Sequence, residues 1–476
     1  MLKQTIMEKY YDVHNHLFNK NFLAKELLYR MIKELKKMLN IQKERGLDRG
    51  PDRGLKNVIT SLRRYIKAIR VFTRKNSTAV YEELDKTYKG EFILTPLTFD
   101  LTYCFAPSAD RETDETPRSI AKEAFEDEMK ILFEEIDREV RSLSRDFNPD
   151  AGNSEDDLWK EYLNEKKRFI EESRAFQEME EETEFVSGSR GLFKRRTESD
   201  GWNEQIRQIE ELKKYPEYKE MVFPFLAVDS RRKNIAEYAM NNVGKGKLFI
   251  GIKLYCPTGY SPTDPVLFGP DGERGGIYAF CEDNGIPVTT HNSDGGFATL
   301  AKEVKVTGLI QVNGKLHWLN DELLKFSTAI NHKNAVYERA LTLNHPLLWE
   351  KVVEKYPNLL LNLAHFGGGS QLNLALENPE NTNLWTNKII ALLKDSRYKV
   401  YTDVSCFTEF EVIAKLLTSP VYREIKPRIL YGSDYTLLLL FEDNFEENVR
   451  QFKEKFGKDF DVIARKNPEE FLRHVI

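Results

Sequence analysis

The chain has 476 residues, of which 41% are hydrophobic and 31% are charged, as in a soluble globular protein. It exceeds the size of an ordinary single-core domain, so we expect one large domain with an insertion, or two domains. With 71 basic and 76 acidic residues, the net charge of −5 excludes a general attraction to nucleic acid or to an anionic membrane.

Two further features concern the compartment. The first residues, "MLKQTIMEKYYD", contain neither an apolar core region nor a small-residue cleavage site, so no signal peptide is predicted. No apolar run approaches the roughly 20 residues needed to span a bilayer. The four cysteines lie far apart with no C-x-x-C pair, which is typical of reduced, buried thiols. The sequence therefore predicts a cytoplasmic protein with no membrane partner.

Eight short apolar runs alternate along the chain with longer helical patterns. Most of the runs are continuously apolar, as expected of parallel strands that are buried on both faces. Strands alternating with helices indicate a parallel sheet, and eight of them indicate a (β/α)8 barrel. The predicted strands are "KYYDVH" (9–14), "EFILTPL" (91–97), "MVFPFLAV" (221–228), "LFIGIKLY" (248–255), "IPVTTH" (286–291), "LLLNLAH" (359–365), "KVYTDVS" (399–405) and "RILYGSD" (428–434).

The length beyond a simple barrel has a place between the second and third strands. Residues 108–216 are rich in charge and poor in strand formers, and the segments 124–147 and 158–179 carry apolar residues at helical spacing. We therefore predict a distorted (β/α)8 barrel of residues 1–107 and 217–476 with a long charged helical insertion at 108–216. The insertion is either a solvated helical hairpin or a lid, since loops that follow barrel strands surround the site of such folds. A first helical pattern at 21–40 follows strand one.

Four of the eight histidines, and one aspartate, end predicted strands. His14 and His16 end the first strand, His291 the fifth, His365 the sixth and Asp434 the eighth. Because parallel strand ends of a barrel meet at one mouth, these side chains are expected to converge. In the H-x-H triplet both histidines point to the same side of the strand. Imidazoles with a carboxylate are the ligand set of zinc and similar divalent ions, so the pattern predicts a metal site.

The motifs at these strand ends resemble a known superfamily. "DVHNH", "PVTTH", "LNLAHFGG" and "ILYGSDY", in this order, are similar to the amidohydrolase superfamily. They are closest to its amidohydrolase-related branch (amidohydrolase family 2), which includes hydrolases, lactonases and nonoxidative decarboxylases. The resemblance implies that His14, His16, His291 and Asp434 bind the metal. It also implies that His365 is a catalytic acid or base, or a ligand where two metals are bound.

These residue types suit a reaction at a carbonyl group. A divalent ion, Zn²⁺ or else Mn²⁺, would activate water and polarise a carbonyl oxygen. Asp434 would take the water proton and pass it to the leaving group. An unligated His365 would donate a hydrogen bond to developing negative charge. "TDVS", with Asp403 and Ser405, is expected to orient the barrel mouth or a ligand histidine.

The state of Lys253 determines whether one or two metal ions are expected at the site. Lys253 ends the fourth strand in "GIKLYCP", which is similar to a K-L-Y-P stretch of dihydroorotase-like members, in which the lysine is carboxylated and bridges two metals. Cys256 interrupts that pattern here. One ion is therefore favoured, with Lys253 contacting a substrate carboxylate or an acidic neighbour. Two ions are expected if Lys253 is carboxylated.

The loops after the fourth and fifth strands supply candidate substrate contacts. Tyr255, Asn292 and Arg274 are predicted to bind substrate, against the alternative that they are ordinary loop residues. Lys253 and Arg274 would make the pocket cationic if the substrate is acidic.

Three functions remain open on the sequence. The first is a metal-dependent hydrolase that uses metal-activated water on an amide, lactone or ester carbonyl of a small molecule. The second is a nonoxidative metal-dependent decarboxylase of a carboxylated, often aromatic, substrate. The third is a catalytically silent barrel that acts as a binding protein. The sequence leaves the oligomeric state open, and a homo-oligomer is compatible with it.

Overall fold

The computed structural model describes residues 9–19, 51–104, 134, 160–172, 199–270, 273–299, 301–328, 334–442 and 444–476. Eight of its strands are parallel neighbours around a ring, and the other two form a hairpin. The strands are β1 (Tyr10–Asn15), β2 (Phe92–Pro96), β3 (Phe225–Ala227), β4 (Gly251–Leu254), β5 (Val288–Ser293), β6 (Glu303–Val312), β7 (Lys315–Lys325), β8 (Leu361–Gly367), β9 (Val400–Asp403) and β10 (Ile429–Leu430).

The ring is assembled from one sheet in the order β10-β9-β8-β5-β4-β3 and a parallel pair, β1-β2. Parallel bridges from Leu94 to Val222 and from Leu97 to Phe225 join β2 to β3. The Val13 amide donates to the Tyr431 carbonyl oxygen at 3.0 Å, which joins β1 to the chain after β10. The eight predicted strands are therefore all present, and the predicted barrel is confirmed.

Helices link consecutive barrel strands, as expected of βα units. In β1, β5 and β8 nearly every residue is buried, the polar ones included, as expected of parallel strands that are covered on both faces. Besides a helical segment at residues 160–172, the helices are α1 (Pro51–Phe72), α2 (Ser77–Tyr88), α3 (Ser199–Lys213), α4 (Pro216–Lys219), α5 (Ile235–Asn242), α6 (Pro265–Phe268), α7 (Gly276–Asn284), α8 (Ala335–Asn344), α9 (Pro346–Lys355), α10 (Gly369–Glu377), α11 (Trp385–Lys394), α12 (Phe410–Thr418), α13 (Pro420–Ile425), α14 (Phe445–Phe456) and α15 (Asn467–Leu472).

Helix α9 shows how the local sequence determines an element. His345 precedes it, and its Nδ1 accepts a hydrogen bond from the Leu347 amide at 3.2 Å, which satisfies one of the free donors of the first turn. Pro346 is the first helical residue, a position where a missing N–H costs nothing. The apolar residues recur at helical spacing and face the barrel; they are Leu348, Trp349, Val352 and Val353.

The antiparallel hairpin of β6 and β7 was not predicted. Asn313 and Gly314 form its turn with φ values of 51° and 78°, the left-handed conformation that two-residue hairpin turns favour. The Asn-Gly pair was the signal available in the sequence. Val306 and Ile310 pack with Leu343 of α8 in a small core of their own, so the hairpin lies outside the main barrel core.

Part of the predicted insertion falls within the described residues. Residues 160–172 are helical, as the apolar spacing of the segment 158–179 predicts. Helix α3 also lies within the predicted insertion. Glu165 pairs with Arg63 of α1 at 3.0 Å, and the Gln205 side chain of α3 contacts the backbone of Phe99 after β2. Both segments therefore contact the barrel. The amphipathic segment 124–147, except residue 134, and the first helical pattern at 21–40 lie outside the described residues.

Among the described helices, none combines the length and the apolar character that a membrane span requires.

Candidate metal centre

A cavity of about 420 Å³ opens at the C-terminal ends of the barrel strands. Its polar floor comes from β1, β4, β5, β8 and the turns after β9 and β10. Its wall is mostly apolar or aromatic. The residues of the floor are His14, His16, Lys253, His291, His365, Ser405 and Asp434, and those of the wall include Tyr65, Tyr255, Phe297, Phe407, Leu437, Leu440 and Phe441.

His14, His16 and Asp434 form a cluster of possible metal ligands in this floor. Asp434 Oδ1 lies 3.3 Å from His16 Nε2 and 3.6 Å from His14 Nε2, and all three side chains are buried. Their possible ligand atoms lie within 4.8 Å of one another, close enough to share one ion. The alternation of β1 produces this pairing, because it turns His14 and His16 to the same side.

The second ring nitrogens of these two histidines are held from behind. His16 Nδ1 lies 2.8 Å from the Leu97 carbonyl oxygen, and His14 Nδ1 lies 3.0 Å from Asp403 Oδ2. Carbonyl and carboxylate oxygens accept hydrogen bonds, so each Nδ1 is the donor. Both Nε2 atoms therefore face Asp434. The expected contact between Asp403 and a site histidine is present.

Glycine at position 432 allows this approach. A Cβ on Gly432 would lie 2.5 Å from the His14 Cβ, closer than two carbon atoms tolerate. Asp434 follows with a left-handed φ of 57°, a conformation that strains a side-chain-bearing residue and turns it out of the strand direction. The "YGSD" motif thus brings a carboxylate against β1.

His365 lies near Nδ1 of His14, whereas Asp434 lies near its Nε2. The ring centroid of His365 is 4.6 Å from that of His14, and its Nδ1 lies 2.9 Å from Ser405 Oγ. Its φ of 68° is also left-handed. A second group that could hold an ion, within the described residues, consists of His14, His365 and Asp403.

His291 lines the cavity but belongs to neither group. Its Nε2 lies 2.9 Å from the Gly295 carbonyl oxygen, and its ring stacks on Tyr255 with centroids 4.2 Å apart. Gly296 permits the loop to cover this ring, since a Cβ there would lie 2.8 Å from His291 Nε2. A carbonyl oxygen only accepts, so Nε2 carries the proton and Nδ1 is the nitrogen of His291 with a free lone pair.

Lys253 is buried in the cavity floor, and its Nζ has no hydrogen-bond partner among the described residues. Burial lowers its pKa to about 8, against the opposing influence of Asp403 and Asp434. An ammonium group in this position is available to an anion in the cavity.

The three residues predicted to contact substrate lie in different places in the structure. Tyr255 lines the cavity. Asn292 is buried beside it, where its side chain donates to the Asn344 carbonyl oxygen and accepts from Trp385, at 3.0 and 2.9 Å. Arg274 lies away from the cavity on the surface, paired with acidic residues of α7. The structure brings only Tyr255 of the three to the site.

The charges of the floor suit metal ligands. Burial raises the pKa of Asp434, but contact with His16 and the proximity of His14 and His365 outweigh it and hold the pKa below its usual value. Burial lowers the pKa of His14 to about 3 and also lowers those of His291 and His365. The carboxylate is thus ionised and these three imidazoles neutral at pH 7, which is the state that coordinates a metal.

The apolar wall was not predicted. Leu437, Leu440 and Phe441 follow Asp434 directly, in a run that reads as an ordinary core segment. Tyr65 comes from α1, and no local signal relates a helix residue to the mouth. Cys406 also lines the cavity.

Three solved structures are similar to the chain at low identity. A 2,6-dihydroxybenzoate decarboxylase from Rhizobium is 14% identical, over 58% of this chain and 78% of that one, with a TM-score of 0.34. A probable 2-pyrone-4,6-dicarboxylic acid hydrolase from Acinetobacter baumannii is 15% identical, over 57% and 78%, with a TM-score of 0.35. A dihydroxybenzoic acid decarboxylase from Polaromonas sp. JS666, with bound manganese, is 14% identical, over 58% and 76%, with a TM-score of 0.35.

The family of the chain follows from its sequence. No curated protein matches it. A family model described as "Amidohydrolase" matches residues 11–473, a range that contains every strand-end motif of the site. The resemblance predicted from those motifs is confirmed, and the chain belongs to the amidohydrolase family.

Proposed function

We propose that this chain is a metal-dependent hydrolase that binds one divalent ion between His14, His16 and Asp434. One observation carries the proposal: His14 Nε2 and His16 Nε2 lie 3.6 and 3.3 Å from Asp434 Oδ1, while the other ring nitrogen of each histidine is already bound to an oxygen acceptor. Each Nδ1 donates to its own acceptor, and Asp434 Oδ1 has no hydrogen-bond partner among the described residues. Three buried acceptors at this spacing repel one another unless a cation lies among them.

The donor set favours zinc. Two imidazole nitrogens with a carboxylate oxygen are typical of catalytic zinc sites, which leave a position for water or substrate. Manganese accepts the same ligands. His291 would join through Nδ1, with its Nε2 held by the Gly295 carbonyl, the arrangement that orients ligand histidines in metalloproteins.

The reaction at this floor is the attack of water on an amide, lactone or ester carbonyl. A bound divalent ion would lower the pKa of water from about 15.7 towards about 7. Asp434 would accept the proton of the attacking water and return it to the leaving group. His365, whose ring contacts that of His14, would be a second acid or base that transfers a proton during the reaction. The apolar wall would hold the body of a small substrate.

Lys253 favours a second candidate, a nonoxidative decarboxylase. Its unpaired ammonium in the cavity floor would bind a substrate carboxylate, which is the group that such an enzyme removes. Arg274 is left out of this proposal, because its guanidinium pairs with Glu282 at 2.7 Å on the surface. A carboxylated Lys253 with two ions remains the alternative for this residue.

Metal content and product analysis test the proposal. Protein purified without chelator is expected to hold about one ion per chain, and His14→Ala and Asp434→Ala are expected to lose it, while His317→Ala on the exposed hairpin keeps it. Lactones, esters and amides are then compared with carboxylated aromatics in ¹⁸O-labelled water.

The outcomes separate the candidates. Label in the carboxylate that is formed supports the hydrolase. Release of carbon dioxide, with no label in the organic product, replaces it with the decarboxylase. Two ions, one of them lost in Lys253→Ala, would contradict the single-ion site. If the protein holds no metal and His14→Ala and Asp434→Ala are indistinguishable from wild type, both enzyme functions are contradicted. The catalytically silent binding protein is then the function that fits.

A further inference from the structure

The hydroxyl group of Ser405 lies between two site histidines and a buried carboxylate. Ser405 Oγ is 2.9 Å from His365 Nδ1 and 3.2 Å from His14 Nδ1, and it is hydrogen-bonded to Asp403 Oδ1. All four side chains are buried. A serine hydroxyl has a single proton, so these three contacts cannot all be donations from Ser405.

Asp403 determines where that proton lies. Its Oδ2 accepts from His14 Nδ1 at 3.0 Å and from Asn362 Nδ2 at 2.7 Å. Its Oδ1 accepts from the backbone amides of His365 and Ser405, at 2.9 and 3.2 Å. An ionised carboxylate only accepts, so the hydroxyl of Ser405 must be the donor of its own contact with Asp403.

The remaining contact follows from this balance. Since the proton of Ser405 points to Asp403, Ser405 Oγ meets His365 with a lone pair, and His365 Nδ1 must supply the hydrogen. The backbone carbonyl oxygen of Ser405, 3.5 Å from the same Nδ1, also can only accept. Both oxygens near this nitrogen therefore require a proton on it.

We propose that Ser405 is a positioning residue that fixes His365 as the Nδ1–H tautomer and presents its Nε2 to the cavity as an unprotonated acceptor. Asp403 imposes the same tautomer on His14 directly, and on His365 through Ser405. One strand end thus sets the proton positions of two histidines from different strands.

The proposal changes the role of His365 within the proposed function, on which this consequence rests. A neutral His365 protonated on Nδ1 cannot donate from Nε2 to developing negative charge. It accepts a proton, or it donates a lone pair to a cation. The hydrogen-bond-donor role expected from the sequence is replaced by that of a base or ligand.

Nitrogen-15 spectra of histidine-labelled protein test the tautomer, because protonated and lone-pair ring nitrogens resonate far apart. His365 is assigned with His365→Gln, and spectra are recorded for metal-free and zinc-loaded protein. In wild type we expect the protonated signal at Nδ1 of both His365 and His14. In Ser405→Ala we expect His365 to become a mixture of tautomers, while His14 keeps its own through Asp403.

Thr402→Val is the matched control. Thr402 is buried on β9, three residues before Ser405, and its hydroxyl donates to the Leu363 carbonyl oxygen, outside the Asp403 network. Its removal is expected to leave the His365 signals unchanged. If Ser405→Ala does not fold, Ser405→Thr replaces it and is expected to keep the wild-type tautomer.

The wild-type spectrum alone can overturn the proposal. A proton on Nε2 of His365, or an unchanged His365 in Ser405→Ala, would show that Ser405 does not fix it. Failure to take up either zinc or manganese would refute the proposed function, whereas the metal-free spectrum would still report the tautomer. The two failures are therefore distinguishable.

Discussion

His345 contrasts with the cavity histidines, because it works as a helix cap away from the metal centre. Its Nδ1 accepts the Leu347 amide, and its ring packs edge-on against Trp385 at 5.2 Å between centroids. Burial, with a smaller contribution from Lys388, lowers its pKa from 6.5 to about 4. The cap requires a neutral ring, since a protonated Nδ1 cannot accept the amide hydrogen.

We therefore expect His345 to make the fold sensitive to acid. Between pH 6.5 and about 4 the unfolded chain binds a proton at this residue that the folded chain excludes, so stability is full above pH 6.5 and falls as the pH falls. The shift corresponds to at most about 3 kcal/mol. In urea unfolding with chelator present, His345→Asn should lack this loss, because asparagine also caps helices without titrating.

A second variant separates the titration from the cap. His345→Ala should lack the same acid-sensitive component but be less stable than His345→Asn at pH 8 by about 1 kcal/mol, the usual value of an N-cap. If His345→Asn lost stability on acidification as steeply as wild type, the proton uptake would belong to other residues.

The sequence predicts which residues lie near the barrel mouth more reliably than it predicts where their side chains point. The residues at strand ends could be placed from the sequence, because a strand end fixes both position and outward direction; His14, His16 and Asp434 are of this kind. Asn292 lies within β5 directly after His291, so the alternation of the strand turns its side chain to Trp385 and away from the cavity. Loop residues such as Arg274 have no periodicity from which direction can be derived.

At the scale of elements, burial explains which strands could be predicted. Strands covered on both faces keep an apolar run whatever their neighbours, and all eight barrel strands are of this kind. The hairpin is half exposed: Val304, Val306 and Ile310 of β6 are buried in its small core, and Leu319 and Leu324 of β7 pack against that core while partly exposed. The strongest sequence feature of the hairpin is its Asn-Gly turn. In a chain predicted as alternating strands and helices, such a pair alone does not indicate an antiparallel hairpin.

That turn permits a prediction for the hairpin. Gly314 has a φ of 78° and open space around its Cα, so in Gly314→Ala the cost comes from conformation alone. A left-handed alanine costs about 1–2 kcal/mol. Amide hydrogens of β6 and β7 should exchange about 5–30 times faster in this variant, by the usual conversion of free energy to equilibrium constant.

The control for this effect is the neighbouring turn residue. Asn313 is also left-handed, with a φ of 51°, and Asn313→Gly keeps that conformation accessible. We expect its hairpin amides to exchange within a few-fold of wild type and its metal content to be unchanged. Equal acceleration in both variants would mean that side-chain contacts of the turn, rather than its backbone conformation, hold the hairpin.

At the scale of the molecule, the proposed metal ligands lie on the seam where the barrel closes. The first and last barrel strands meet through backbone hydrogen bonds: Val13 to Tyr431 at 3.0 Å, and Asp434 to His14 at 2.6 Å. Asp12 strengthens the same seam by accepting from the amide and hydroxyl of Ser433, at 2.9 and 2.6 Å. The proposed ligands therefore come from opposite ends of the sequence.

A metal held across this seam should protect it selectively. Binding to the folded state stabilises it by about 2.7 kcal/mol at a free-ion concentration 100 times the dissociation constant, and the openings that separate the ligands are suppressed most. Adding zinc to chelator-treated protein should slow amide exchange in β1 and at residues 429–436 more than in β4 and β5. In Asp434→Asn this difference should disappear, because one ligand is lost. Uniform slowing across all the barrel strands would show that the ion acts on global stability and does not act as the closure of the barrel.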